Sequence, residues 1–406
     1  MRDVTFVIVG ASLAGGSAAL ALREAGFEGR LVLVGEEPHP PYERPPLSKA
    51  YLRGEQGFEK MLLRPRDLYE SKEIDTLFGV RATRLDPTGR VVELAGGGSI
   101  AFDKALIATG GRNRRLRVPG AELEGIYQLR TVDEADRIRE EIAPGRKAVV
   151  VGMGFIGCEV AASLRRRGVE VTAVEPMKGP LAPVLGQEVS RVIEAIHRDQ
   201  GVEMIFGEAV AAFEGDDRVE RVVTNGGRAI DCGFAVVGVG IEPEAGLVDG
   251  TGIEVSNGIV VDEHCRTSVE GVFAAGDVAN HYHPVFRRRL RVEHYQNAIN
   301  QGRAAAKAML GSPEPYDDVH WFWSDQYDDN LQYAGYHREW DDLVVRGSLE
   351  QRRFVAFYLK DGLVLAAVGL NNGRDLRRSI PLIKAGSPVE RARLADGEVD
   401  LRTLAR

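Results

Sequence analysis

Cysteine is scarce: three residues in 406, Cys158, Cys232 and Cys265, lie too far apart for a disulfide framework or a metal-ligand set. No Cys-x-x-Cys pair occurs and no cysteine precedes Cys158, so a redox dithiol is excluded and the thiols read as small buried hydrophobes. Long apolar runs are missing as well. Nothing approaches the ~18 consecutive apolar residues of a membrane span, and the N-terminus passes into the stretch FVIVG rather than a basic segment and a cleavage site. A cytoplasmic location with no membrane association is expected. Nor is there an excess of positive charge: 52 Lys and Arg against 60 Asp and Glu give −8, which argues against a general nucleic-acid binder.

What is present is an ordinary globular composition, 44% hydrophobic and 28% charged, which leaves no case for disorder. Single cores stop growing near ~250 to 300 residues, so the chain should form two or three domains.

The segment VTFVIVGASLAGGSAALALREAGFEGRLVLVGEE reads as strand, glycine turn, helix and second strand, with the acid Glu36 at its end. Such a unit carries a dinucleotide for physical reasons. Gly10 and Gly15 stand in the turn, where the first glycine permits the bend, a small residue lets the backbone approach a pyrophosphate, and the helix start offers free N–H groups and a positive dipole end. Glu36 can accept hydrogen bonds from ribose hydroxyls. Ser12 departs from the usual pattern, standing where a second glycine is expected.

The device returns in AVVVGMGFIGCEVAASLRRRGVEVTAVEP, with Gly152, Gly154 and Gly157 in the turn and Glu175 ending the second strand. Two such units imply two dinucleotides. A carboxylate at Glu175 suits free ribose hydroxyls and repels a 2'-phosphate, and the following PMKGPLAPVLG holds one lysine and no arginine. NADH is therefore preferred over NADPH.

DKALIATGG and FAVVGVGIEPE look like matching strands leaving the first and second domains, with Ala108, Thr109 and Gly110 in one and Gly240 in the other. SVEGVFAAGDVAN then places Gly276 and Asp277 after a short apolar strand, where the aspartate can accept from a polyol chain. A flavin has such a chain, so the first domain should be the flavin domain, interrupted by the second. The expected organisation is α/β: two Rossmann-like dinucleotide-binding domains, the discontinuous FAD domain at 1–112 and 242–318 with the NAD domain, 113–241, inserted. A small α+β C-terminal domain at 319–406 follows, with a hairpin at Lys360 to Gly362.

Together with these turns, PYERPPLSKAYL, the ATG of Ala108 to Gly110, VEHYQNAINQG and WFWSDQY resemble the NADH-dependent ferredoxin reductases of oxygenase systems, within the glutathione-reductase-like fold. Several of these motifs are shared with rubredoxin reductases, monodehydroascorbate reductases and apoptosis-inducing-factor-like proteins. The resemblance implies electron transfer from NADH through FAD to a [2Fe-2S] ferredoxin that feeds an oxygenase; a rubredoxin, a small radical or quinone, or a redox-sensing interaction role are the alternatives.

By the same likeness, the FAD pyrophosphate lies at Ala14 and its glycine turn, Glu36 on the ribose, the Val80 backbone near the adenine, Arg130 near the phosphates, and Asp277 on the ribityl chain. The helix beginning at Tyr295 points at the pyrimidine edge, where its dipole offsets negative charge. Gly154, Ile156 and Glu175 bind NADH, Glu159 sits behind the nicotinamide, and Lys49 lies beside flavin N5, paired with Glu159 as a buried ammonium requires. Trp323 is divided between a place near the flavin ring and the core of the small domain. The loop around Pro45 and Pro46 lacks the catalytic cysteine that disulfide reductases carry there.

An acidic ferredoxin needs basic residues to dock on. RNRRLR at 112–117, RRRLR at 287–291, and Arg374, Arg377, Arg378 and Lys384 are the candidate clusters. A monomer is expected, a dimer being the alternative. His281 and His283, with His294 later, have no carboxylate or cysteine pattern to complete a site, so no metal is expected.

Overall fold

The computed structural model describes residues 4–405. Contacts divide them into two compact units, one built from residues up to Glu43 with Phe58–Arg112 and Ile241–His320, the other from Arg44–Gly57, Asn113–Gly240 and the chain from Trp321 onward. Residues 44–57 therefore group with the second unit, whereas the sequence reading kept them in the first domain. The reason is local: the Pro45–Ser48 turn packs on the helices Val132–Glu141 and Phe155–Arg166.

The first unit is built on a parallel five-stranded sheet in the order Val272–Ala274, Lys104–Ile107, Thr5–Val9, Arg30–Gly35, Ile74–Phe78. Its strands are nearly continuous apolar runs because both faces are covered. Phe6, Ile8, Leu31 and Leu33 face a core shared with the helices Leu13–Glu24 and Tyr295–Met309. Val7, Val9, Val32 and Val34 take the other face, against Leu85, Val92 and Ile100 of a small antiparallel sheet. The two helices cross closely at Gly302, where an added Cβ would lie 2.3 Å from the Ala14 carbonyl oxygen.

The second unit repeats the plan: a parallel sheet ordered Glu203–Phe206, Glu170–Glu175, Lys147–Val151, Phe234–Val237, Ile126–Tyr127. In each unit the first strand of the glycine-turn motif is internal, with one neighbour that follows it directly and one that returns much later. That is a topological switch point, where doubly wound sheets bind ligands outside the carboxyl ends of their strands.

The chain from Trp321 adds an antiparallel sheet ordered Trp321–Gln326, Asp329–Gly335, Leu363–Leu370, Arg353–Lys360, Asp342–Ser348, backed by the helix Gly373–Ala385. The expected hairpin is present, and its two-residue loop, Asp361 and Gly362, has positive φ at both positions (53° and 75°), as a type I' turn demands. Among the described residues no helix is long and apolar enough to cross a membrane.

Candidate active site

The two glycine turns share one geometry. Gly10 and Gly152 have φ of +113° and +90°, and a Cβ on either would run into backbone, Ala108 O at 2.1 Å and Gly238 O at 2.6 Å. A Cβ on Gly15 or Gly157 would sit 1.9 Å from the carbonyl oxygen of the first glycine of its own turn. The middle position differs. Ser12 has φ −115° and Gly154 φ −73°, both accessible to any residue, and a Cβ on Gly154 meets nothing within 4 Å. Serine at position 12 is therefore compatible with the turn. Each turn delivers the chain into a helix whose first N–H groups have no intrahelical acceptor, which is a site for a pyrophosphate.

Around the first turn, the structure brings together most of the residues expected at a flavin. Glu36 directly follows the strand Arg30–Gly35 with its exposed carboxylate 3.6 Å from Arg81, and Val80 N–H donates to Gly35 O at 2.8 Å. Ala108 N–H donates to Val9 O at 2.7 Å, Thr109 Oγ1 donates to Glu244 O at 2.6 Å, and Gly110 has φ +71°. Gly276, φ +81°, opens a short turn that carries Asp277, and its N–H donates to Gln301 Oε1 at 2.8 Å. The helix Tyr295–Met309 begins beside Leu13, Ala14 and Ala108, and Tyr295 Oη donates to Glu43 Oε1 at 2.7 Å.

Arg130, Trp323 and Lys49 belong to the second unit. Arg130 precedes a helix closed by a capping box between Thr131 and Glu134, and its N–H donates to Glu134 Oε2 at 2.6 Å. Trp323 is half-buried and stacked on Trp321, ring centroids 5.5 Å apart.

The chemical centre of the second unit is a buried ion pair. Lys49 Nζ lies 2.6 Å from Glu159 Oε2, with side-chain exposures of 12% and 4%. Glu159 stands one turn into the helix Phe155–Arg166, and the Pro45–Ser48 turn, its φ angles preset by two prolines, lays Lys49 across it. Two serines complete the carboxylate: Ser48 Oγ donates to Oε2 at 2.5 Å and Ser324 Oγ to Oε1 at 2.7 Å. Ser163, one turn further along the helix, donates to the Ser48 carbonyl at 2.6 Å and fixes the loop from below.

The chain of hydrogen bonds continues inward with a single polarity. Gln326 Nε2 donates to Ser324 Oγ at 3.2 Å, so Gln326 Oε1 is the acceptor for His197 Nε2 at 3.0 Å. His197 is then protonated on Nε2, and Tyr327 Oη donates to its Nδ1 at 3.2 Å. Burial pulls the His197 pKa down to about 4 and pushes the Tyr327 phenol up, so both stay neutral in this role. Every link donates toward Glu159, so the carboxylate that faces Lys49 is met by donors on both oxygens. The amide of Gln326 makes this an orienting network rather than a proton wire.

On the expected nicotinamide side, the Glu175 carboxylate is buried and closes its own turn: Met153 N–H donates to Oε2 at 2.7 Å and Met177 N–H to Oε1 at 2.9 Å. A carboxylate oxygen accepts more than one hydrogen bond, so capacity for ribose hydroxyls is left. Ile156 is 43% exposed on the first turn of the helix, and Gly240, φ +90°, has open space where its Cβ would be.

All three cysteines are buried and free, and burial raises each thiol, Cys232 to about 12. Sequence reading missed Ser48 and Ser324 as partners of the ion pair and Ser163 as the support of Ser48. A signal existed for one of them: alternation along WFWSDQ puts Ser324 in the buried row with Phe322 and Gln326, where a serine needs an acceptor.

Comparison with known proteins gives the family and the fold. Residues 4–302 match the family model described as pyridine nucleotide-disulphide oxidoreductase, and residues 321–405 match that described as reductase C-terminal. The chain is 39% identical to a probable ferredoxin reductase of Castellaniella defragrans over 98% of both chains. It is also 39% identical to rhodocoxin reductase of Rhodococcus erythropolis, over 98% of this chain and 94% of that one. Among solved structures, the reductase in a covalent putidaredoxin reductase–putidaredoxin complex superposes with a TM-score of 0.96 at 35% identity, covering 100% of this chain and 98% of that one.

Proposed function

The chain belongs to the pyridine nucleotide-disulphide oxidoreductase family, and from that premise we propose that it is an FAD-dependent NADH:ferredoxin reductase whose acceptor, a [2Fe-2S] ferredoxin, supplies an oxygenase. The observation that carries this reading is the loop Pro41–Leu52. Where disulfide chemistry would need a thiol, it holds a lysine in a buried ion pair, and the three thiols of the chain are buried and un-ionised. Electrons therefore leave without a dithiol intermediate, and relatives named as ferredoxin, rhodocoxin and putidaredoxin reductases support an iron–sulfur acceptor.

Both dinucleotides fit the residues present. The turn Gly10–Gly15, with a helix start behind it, Glu36 at the strand end and Asp277 on its turn, would hold FAD. The turn Gly152–Gly157, with Ile156, Glu175 and Gly240, would hold NADH. When bound, the flavin supplies the ability to take two electrons as hydride and release them singly. The residues of this chain do the rest. By the likeness to its family, Lys49 would supply a positive charge that favours electron-rich forms of the flavin, and Glu159 with its serines keeps that charge in place. The N-terminus of the Tyr295–Met309 helix, beside Ala14 and Ala108, would have the same electrostatic effect on a flavin held there. Glu175 selects a cofactor without a 2'-phosphate by charge.

For the partner, the exposed arginines favour an acidic ferredoxin. Arg112 is committed to Glu242 and Glu244, and Arg289 and Arg291 to backbone carbonyls and Glu293, so these runs are partly spent within the fold. Arg374 and Arg377, exposed on the helix Gly373–Ala385, are not engaged in this way, and this helix is the proposed docking face. The protein acts in the cytoplasm, as a monomer. The test is direct: after reconstitution with FAD, NADH should reduce a [2Fe-2S] ferredoxin catalytically, and a yellow protein that oxidises NADH but reduces no ferredoxin would overturn the reading.

A further inference from the structure

The strand Ala279–His283 carries His281 and His283 on its buried face, and the segment leading out of the first unit brings His320 against them. Candidate ligand atoms of the three histidines all lie within 4.8 Å of one another. Ring centroids are 5.4 Å apart for His281 and His283, 5.6 Å for His281 and His320, and 4.8 Å for His283 and His320. Among the described residues neither ring nitrogen of His320, 3% exposed, has a hydrogen-bond partner, and His281, 1% exposed, has none beyond an interaction with the backbone of Leu290. A buried polar atom left unsatisfied is costly, and apolar side chains would fill the same space without that cost.

We propose that His281, His283 and His320 form a binding site for one imidazole-preferring divalent transition-metal ion of the zinc class. His283 Nε2 lies 3.0 Å from the Asp318 carbonyl oxygen, so it must be the protonated nitrogen and Nδ1 carries the lone pair. Donation of the second ring nitrogen to a backbone carbonyl is how metal-bound histidines are commonly oriented. Zinc–nitrogen bonds are ~2.0–2.1 Å long, so the three rings would close in on an ion from the observed spread.

Three neutral nitrogens with no carboxylate among them disfavour magnesium and calcium and suit zinc, copper, nickel or iron. The fourth position is open to water or to His294, whose ring lies 6.4 Å from that of His320. An ion there would tie the segment Tyr316–His320 to the strand Ala279–His283 within one unit, a structural role separate from electron transfer. Arg289, which adds to the repulsion felt by His281, works against a cation and bounds the affinity.

The test uses the FAD-loaded protein, equilibrated with Zn2+ or Co2+, desalted, and analysed for metal by mass spectrometry. One equivalent is expected in wild type, with cobalt giving ligand-field bands to the red of the flavin absorption. Changing an outer-shell partner already costs about 10- to 100-fold in metal affinity. His320→Phe, which keeps an aromatic ring and removes both nitrogens, should therefore weaken binding by more than tenfold. Wild type that retains no metal, or that retains as much as His320→Phe, overturns the proposal; an ordered water in the cluster would give the first of these results. Should the variant not fold, anomalous diffraction at the zinc edge on wild type decides, and density anywhere but between the three rings counts against the site.

Discussion

Ser324 Oγ donates to Glu159 Oε1 at 2.7 Å across 165 residues of sequence, so a strand of the C-terminal sheet supplies a wall of the Lys49–Glu159 pair. The pair is thus held by three separate segments: the proline loop, the helix after the second glycine turn, and the first strand of the C-terminal sheet.

Glu159→Ala should strand a buried ammonium. Loss of one partner of a buried pair costs about 3–5 kcal/mol, to be read as a lower denaturant midpoint. Lys49→Met keeps the volume and removes the charge, and should slow flavin reduction by NADH about a hundredfold. Stopped-flow reduction at wild-type rate in Lys49→Met would show that the ammonium does not act on the flavin.

Ser324→Ala removes the link between Glu159 and Gln326 and leaves both short of a partner, a loss of about 1–3 kcal/mol. His197→Phe breaks the same chain further out. If donors aligned toward Glu159 matter, the two variants should each slow flavin reduction several-fold, and the double variant should not be additive. Additive effects would mean that the chain does not act as a unit.

Glu175→Ala should erode the preference for NADH and distort the turn, because Met153 and Met177 lose their acceptor. The ratio of kcat/KM for NADH to that for NADPH should fall by about tenfold or more, one charge interaction being worth on the order of 1–2 kcal/mol at such a site. An unchanged ratio would place the ribose elsewhere.

Acid should destabilise the fold through its buried neutral histidines. His197 and His337 are both pulled by burial from 6.5 to about 4 in the folded state. The unfolded chain therefore binds protons that the folded one refuses. Stability is complete above pH 6.5 and falls as pH drops toward 4, by about 1.4 kcal/mol per unit for each histidine. Equilibrium unfolding across this range measures it, and His197→Phe should flatten the slope.

Reversing charge on the C-terminal helix, Arg374→Glu with Arg377→Glu, should raise KM for an acidic ferredoxin and leave NADH oxidation with a small-molecule acceptor unchanged. Added salt should weaken the wild-type association, since surface charges are screened beyond ~8 Å at physiological ionic strength. A KM indifferent to both would move the docking face elsewhere.

The two glycine turns were legible because their requirements are local. Gly10 and Gly152 need positive φ, Gly15 and Gly157 need the space of a missing Cβ, and the apolar runs before them can only be buried strands. Cysteine spacing is likewise local, and it leaves no Cys-x-x-Cys pair for a redox dithiol. Tertiary structure alone decided how the carboxylate of Glu159 is satisfied and where His320 lies. Ser48, Ser163 and His320 carry no local signature, and alternation marks Ser324 only as buried, because a hydroxyl or an imidazole acquires its role from whichever group the fold sets opposite it. Backbone strain is written within a few residues, whereas the partners of a buried charge are chosen by packing between segments far apart in the chain.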